Sequence, residues 1–373
     1  MSIISQLTKS LPKNTVISGS ENTRPFECDG LSVYKQEPLA VVLPSEVSQI
    51  KKVLEICRKH HTPVVTRGAG TGLSGGAMPL KDSVVLGLSK LTKVISINPE
   101  SRLAVVQPGV RNLAISEAAE QYGLYYAPDP SSQIACTIGG NVAENAGGVH
   151  CLKYGLTFQN IESLKMLTID GEELLFSRED EGLGLLALMT GSEGLLGVIT
   201  EITVKLTPKP ELAKLVMAGF DSVRDCADAV ADIIKNGVIP AGLEMMDAFA
   251  IEAAEDFAKP GYPLDAKALL LCELDGSTEL VNNDVSMVKT LLSKATSIRV
   301  SKTEEERLLL WKGRKSAFPA VGRLSPDYYC MDGTIPKRYL GDVLEEINQL
   351  SRQYNLRVAN VFHAGDGNLH PLI

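Results

Sequence analysis

Apolar and polar positions along the chain follow two periods. Short β-rich runs, LAVVL (39–43) and TPVVT (62–66), flank a stretch in which Val47, Ile50, Leu54 and Cys57 recur at helical spacing. Pro44 ends the first run, and Ser45 offers a helix cap. The second run feeds into a glycine-rich loop. SVVLGL, KVISI and RLAVVQPG then predict three strands in close succession, and 112–122 predicts a helix with Gly123 just past its end. After a second glycine-rich stretch (130–155), SLKMLTI and GVITEITVKLTP predict strands on either side of LMTGSEGLLG. TPKPE (207–211) breaks the pattern and sets the expected boundary between a domain at 1–208 and a domain at 209–373.

Beyond that boundary the rhythm changes. AKLVMAGF predicts a strand, 221–237 a helix with Asp221 as its cap, PAGLEMM and KALLLCEL two strands, 279–295 a helix and SIRV a strand. This β-α-β-β-α-β order is that of a ferredoxin-like unit. After a helical connector around Trp311 the order restarts with YYCMDGTIP, a helix over 337–355, RVANVFHAG and NLHPLI, where the chain stops. A repeat broken off half-way predicts a chain truncated relative to its natural fold. The expected class is α+β in two domains.

Composition narrows the functions. A chain of 373 residues exceeds one ordinary core. A net charge of −8 argues against nucleic acid as the partner. Seven scattered cysteines, none spaced C-x-x-C, argue against a disulfide framework, a zinc ribbon or an iron–sulfur site, and for a reducing, cytoplasmic compartment. The N-terminus lacks a secretory pattern. No apolar run nears the ~20 residues of a membrane helix, so membrane contact is expected to be peripheral at most.

The candidate chemistry begins at VVTRGAGTGLSGGAMP (64–79). Gly70, Gly72 and Gly75 spell G-x-G-x-x-G. A dinucleotide fingerprint also needs a helix at the third glycine and an acidic residue ~20 positions on; GAMPLKDS and LSKL supply neither. Glycines Gly68, Gly70, Gly72 and Gly75 instead allow a nest of backbone amides, with the Thr71 and Ser74 hydroxyls and Arg67 at its mouth, which suits a pyrophosphate. A merely flexible surface loop is the alternative. Thr137, Gly139 and Asn141 allow backbone to approach a flat ring, followed by a short helix NVAENA closed by Gly147 and Gly148. A third turn, Gly191 to Gly194, leads to Val198 and Ile199. Three such stretches in one domain point to a long, extended cofactor.

TRGAGTGLSGGAMP, PDPSSQIACTIGGNVAENAGG, GSEGLLGVITEITVKLTP and FHAGDGNLHP resemble the FAD-linked oxidases with the vanillyl-alcohol-oxidase (PCMH) type of fold, in the branch that oxidises glycolate, D-lactate and D-2-hydroxyglutarate. The resemblance implies a two-lobed PCMH-type FAD-binding domain followed by a ferredoxin-like cap. It places the FAD pyrophosphate on Arg67 to Gly76, including Leu73, with Pro128, Ser131, Ser132 and the stretch to Asn141, together with Val198 and Ile199, along the rest. His60, His61 and His150 do not match a covalent attachment point, so the FAD is expected to be noncovalent. Arg314 in WKGRKSAFP matches the family's carboxylate clamp, the alternative being a solvated arginine. His363 and His370 match a pair that ligates a divalent metal such as zinc and serves catalysis, the alternative being a turn with two ordinary histidines. The family's remaining glutamate and its catalytic histidine come from a later GEHG motif, before which this sequence ends, so the metal site is expected to be incomplete. The implied reaction oxidises glycolate or a small D-2-hydroxy acid to the 2-keto acid. Electrons would pass to an iron–sulfur subunit, aided by a second FAD-domain subunit, in the cytoplasm or at the inner face of the plasma membrane. A D-lactate dehydrogenase, an FAD-binding subunit without catalysis and a nicotinamide enzyme are the competing readings.

Overall fold

The computed structural model describes every residue but Pro326. Its elements gather into two units, residues 1–147 with 155–209 and residues 148–154 with 210–373. The segment 148–154 thus belongs with the second unit, a crossing that nothing in the residue pattern announced.

Two sheets and a short strand pair build the first unit. β1 (Val16–Ile17), β2 (Ala40–Val42), β3 (Val64–Arg67) and β4 (Val84–Gly87) lie in the order β1-β2-β4-β3. Because β2 and β3 both run parallel to β4, the chain must cross over between them. The helix Val47–Lys59 does so, burying Ile50, Val53, Leu54, Ile56 and Cys57. Its cap position is Glu46, not Ser45. Ser45 lies one residue too early, and its own N–H donates back to Gln49 Oε1 at 2.9 Å. β5 (Val94–Asn98), β6 (Leu103–Val106), β8 (Ile161–Leu167), β9 (Glu173–Ser177) and β10 (Val198–Lys205) form an antiparallel sheet in the order β5-β6-β10-β8-β9. β7 (Leu124–Tyr125) pairs with β11 (Thr207–Pro208). Gly123 ends the preceding helical turn with φ 66°, as its place in the sequence predicts.

The second unit is one seven-stranded sheet: β12 (Leu212–Phe220), β13 (Gly242–Asp247), β14 (Ala268–Gly276), β15 (Ser297–Val300), β16 (Gly333–Thr334), β17 (Ala359–His363) and β18 (Asn368–Leu372), in the order β15-β12-β14-β13-β17-β18-β16. The first four have the ferredoxin-like arrangement, and the second half-repeat extends the same sheet through the β13–β17 pair. KALLLCEL is apolar throughout because both faces of β14 are covered. Leu270, Cys272 and Leu274 pack with Val230 and Ile233, whereas Leu269 and Leu271 pack with Ala250, Ala254 and Trp311 on the other side.

Three expectations need correction here. The helix Val223–Lys235 is capped by Ser222, whose side chain accepts from Asp225 N, and not by Asp221, which sits one residue too early to reach. A helix, Ala248–Ala258, intervenes between β13 and β14. Its start is set by Asp247, whose carboxylate accepts from Ala250 N at 2.9 Å. YYCMDGTIP contracts to the two residues of β16 plus an isolated bridge from Cys330 to Leu372, since this segment lies at the sheet edge and Pro336 has no N–H to continue a ladder. All seven cysteines are free. Among the described residues no helix is long and apolar enough to cross a membrane.

Candidate active site

In the first unit, three glycine-bearing stretches distant in sequence come together. The loop leaving β3 runs through residues 68–82 as turns and bends, with no helix at its third glycine. A Rossmann site, which needs that helix terminus at the phosphates, is thereby excluded. Gly70 and Gly75 sit at φ +71° and +79°, where a side chain would be strained. The second stretch folds as the helix Ile138–Glu144, capped by Thr137, whose Oγ1 accepts from Gly140 N at 3.4 Å. It begins before NVAENA and stops at Asn145 (φ 51°), short of Gly147 and Gly148. Asparagine adopts this left-handed conformation without glycine's help.

The stretches touch without room for side chains. A Cβ on Gly68 would strike Thr137, and one on Gly194 would strike Thr66. A Cβ on Gly76 would stand 2.7 Å from Glu144 Oε1, and one on Gly191 would stand 3.2 Å from Asn145 Cβ. Gly191 N and Glu193 N donate to Val142 O and Ala143 O, each at 2.8 Å. Gly139 lies flat on Pro108, its N–H donating to Pro108 O at 2.9 Å. The result is a cradle of bare main chain, which fits a long cofactor lying against backbone.

The other residues singled out in the first unit divide by what they touch. Arg67 is not at the mouth of the loop. It is buried, with Nη1 donating to Cys28 O (2.7 Å) and Ala77 O (3.3 Å), so it ties the loop to the segment around Cys28. Gly72 O accepts from Gly30 N at 2.9 Å, and Leu73 lies against Gly30. Thr71 is half-buried and Ser74 exposed, leaving both hydroxyls on the accessible side. Pro128 is buried and its carbonyl accepts from Asn112 Nδ2 at 3.0 Å; Asn141 Oδ1 accepts from the same amide. Ser131 and Ser132 lie in the preceding turn, where Ser132 O accepts from Cys136 N at 2.8 Å. Val198 and Ile199 point into separate cores, so only their backbone is left for a ligand. Gly147 closes the first unit's segment, and Gly148 is already in the second unit.

In the second unit a cluster forms where β13, the β17–β18 hairpin and the helix Glu304–Lys315 meet. Arg314, at the end of that helix, is 1% exposed. It is therefore not the solvated arginine of the alternative reading. Its Nη2 lies 2.6 Å from Glu244 Oε2 as an ion pair, and none of its three guanidinium nitrogens has a hydrogen-bond partner. Glu244 Oε1 accepts from His363 Nδ1 at 2.8 Å. His363 and His370 stand edge to face with centroids 5.2 Å apart. Burial, with His363 beside it, pushes the His370 imidazole down to about 4, so it stays uncharged at neutral pH. Its Nδ1 is buried without a hydrogen-bond partner. Two imidazoles suit a metal chemically. Among the described residues, however, no three histidine, cysteine, aspartate or glutamate side chains converge as a metal set, so nothing below is routed through a metal.

Sequence reasoning missed Glu244. It also missed a second buried carboxylate, Glu273, which binds His150 Nε2 (3.1 Å), Arg307 Nη1 (2.6 Å) and the Trp311 indole N–H. The available signal was a glutamate inside an otherwise apolar strand, in GLEMM and LLCEL. His150 is thus spent in this network, and His60 on Gln6 at 2.8 Å.

Comparison with known proteins bears on both units. Residues 38–177 match the FAD binding domain family, and residues 209–373 match the C-terminal domain of FAD linked oxidases. The chain is 58% identical to glycolate oxidase subunit GlcD of Escherichia coli (strain K12), over 100% of this chain and 76% of that one. It is 30% identical to a D-lactate dehydrogenase of Anaerostipes hadrus, over 97% of this chain and 79% of the relative. Its fold matches that of a solved alkyldihydroxyacetonephosphate synthase with a TM-score of 0.81, at 18% identity over 99% of this chain and 79% of the other.

Proposed function

Since the chain belongs to the FAD-linked oxidases, we propose that it oxidises glycolate, or a 2-hydroxy acid of similar size, to the 2-keto acid. The cofactor is FAD, held by the first unit. FAD when bound takes up the two electrons released as the alcohol carbon becomes a carbonyl.

The observation that carries the substrate reading is Arg314. A guanidinium 1% exposed with Nε and Nη1 unmatched is costly, because a buried charged donor without an acceptor forfeits its hydration. A substrate carboxylate can satisfy these remaining donors by taking one edge of the fork, formed by Nη2 with either Nε or Nη1. The anchor fixes one end of a short acid, so its hydroxyl reaches a limited set of groups. His370 Nδ1, buried without a hydrogen-bond partner and 3.5 Å from Asp332 Oδ1, is assigned to hold the hydroxyl proton.

Glycolate is preferred over D-lactate because the relative bearing the first name is the nearer of the two, at 58% against 30% identity. That relative is named as a subunit, which supports assembly into a larger oxidase. The electron acceptors proposed are an iron–sulfur subunit and a second FAD-domain subunit. The test is anaerobic mixing of the FAD-loaded protein with glycolate, D-lactate and longer 2-hydroxy acids. Loss of flavin colour with glycolate at the lowest concentration is expected. Bleaching by D-lactate alone would assign the other substrate, and no bleaching by any of them would leave an FAD-binding subunit without this chemistry.

A further inference from the structure

We propose that Glu244 is a positioning residue that sets Arg314 and His363 as a single unit and tempers the charge of the anchor so that the keto acid leaves. This rests on the reading of Arg314 as the carboxylate anchor.

The two oxygens of one carboxylate are spent on two different elements. Oε2 lies 2.6 Å from Arg314 Nη2 on the helix Glu304–Lys315, and Oε1 lies 2.8 Å from His363 Nδ1 at the end of β17. A carboxylate is rigid and planar, so neither partner can turn without disturbing the other. The side chain that makes this link is 1% exposed and cannot swing away. The histidine half is built into the sheet: β13 pairs with β17 through Met245 and Phe362, the residues next to Glu244 and His363, and Gly365 N donates to Leu243 O at 3.0 Å. The arginine half comes from the helix Glu304–Lys315, outside that sheet, and within this cluster the Glu244 ion pair holds its guanidinium. Oε1 holds the Nδ1 edge of the His363 ring, which fixes the ring's orientation and leaves Nε2 as its other nitrogen.

A purely structural ion pair is the competing explanation. Such a pair would hydrogen-bond the guanidinium, yet none of the three Arg314 nitrogens has a hydrogen-bond partner and Glu244 meets only Nη2, as an ion pair. Glu244 occupies one edge of the fork and leaves the other edge for a ligand. It also compensates the arginine charge beforehand, so an incoming carboxylate meets an anchor of reduced field. A buried arginine without that compensation holds an anion too firmly for turnover.

The experiment is Glu244→Gln in the FAD-loaded protein, which keeps side-chain length and removes the charge. Glyoxylate binding is read from the perturbation of the flavin spectrum, and turnover of glycolate is read separately. The expected result is a split: glyoxylate Kd falls about tenfold while kcat falls about tenfold or more, each corresponding to roughly 1.4 kcal/mol. In an Arg314→Gln background, which removes the charge that Glu244 tempers, the substitution should leave glyoxylate Kd unchanged, since the two side chains act on each other. Unchanged Kd and kcat in the single variant overturn the proposal, as does weaker binding with the flavin retained. Should Glu244→Gln fail to retain FAD, Glu244→Asp decides: it keeps the charge but cannot span both partners, so Kd should stay within about twofold and kcat fall about tenfold, and parental kcat overturns the proposal. A parent protein that oxidises no 2-hydroxy acid overturns the anchor reading itself, whereas a working parent with an indifferent Glu244→Gln overturns this inference alone.

Discussion

Substituting Gly139 by alanine tests the main-chain cradle at a point where only ring and backbone atoms stand in the way. The added Cβ would stand 2.6 Å from Pro108 Cβ, 3.0 Å from Pro108 O and 3.1 Å from Pro108 Cα. All three atoms belong to a rigid ring or to backbone, so no side chain can rotate out of the way. Gly139 N also donates to Pro108 O at 2.9 Å, and Ile138 N to Val110 O at 2.9 Å, so the two segments are zipped and must part together. Overpacking of this kind costs about 1–3 kcal/mol, and a weakened buried hydrogen bond adds about 1 kcal/mol. For a domain near two hundred residues that corresponds to a drop in melting temperature of roughly 5–12 °C. The same displacement moves the backbone that would lie along the flavin, so FAD affinity should fall roughly tenfold to a hundredfold. Thermal unfolding with and without FAD, together with fluorescence titration of the stripped protein, measures both. Gly184→Ala is the control, because its Cβ would meet nothing nearer than Ala187 Cβ at 3.9 Å. A Gly139→Ala protein that melts with the parent and binds FAD equally well would refute the close-approach argument.

Three further outcomes are expected. Arg314→Lys should raise KM for glycolate roughly tenfold to a hundredfold with FAD retention unchanged, since a lysine offers no planar fork; an unaltered KM in steady-state assays removes Arg314 from the anchor. Burial alone would raise the carboxyl of Glu273, but hydrogen bonds from His150 and Trp311 and the charge of Arg307 hold it down at about 2. Because its folded value lies below the unfolded one, the network adds roughly 3 kcal/mol above about pH 4.5 that fades as pH falls toward 2; urea midpoints across this range should show the decline, and Glu273→Gln should flatten it. Ser222→Ala should cost about 1 kcal/mol in chemical denaturation through loss of the helix cap, while Asp221→Ala should stay within about 0.5 kcal/mol; the reverse order would restore Asp221 as the cap.

Much of this protein is decided locally and could be read along the chain. The period of LAVVL, of 47–57 and of KALLLCEL specifies strand, helix and doubly covered strand, because side-chain direction repeats every two or 3.6 residues whatever lies beyond. The glycines of 68–76 declare a backbone with no room for side chains, and the missing helix after Gly75 already told against a dinucleotide fold. Arg314, His363 and His370 were chosen from motifs, and the fold places them beside one another in the second unit. Other features depended on which segments meet. Arg67 looked like a ligand-facing charge, but the carbonyls of Cys28 and Ala77, at 2.7 and 3.3 Å, take its guanidinium inside. Val198 and Ile199 looked like flavin neighbours, but alternation along β10 sends their side chains into two cores. Glu244 carried no sequence motif at all. It becomes consequential only because sheet register sets β13 against β17 while a separate helix delivers Arg314 to its other oxygen. Motifs report which chemistry a chain owns, but a carboxylate's role is fixed by its neighbours across the sheet, and those are chosen by hydrogen-bond register and packing over more than a hundred residues of intervening chain.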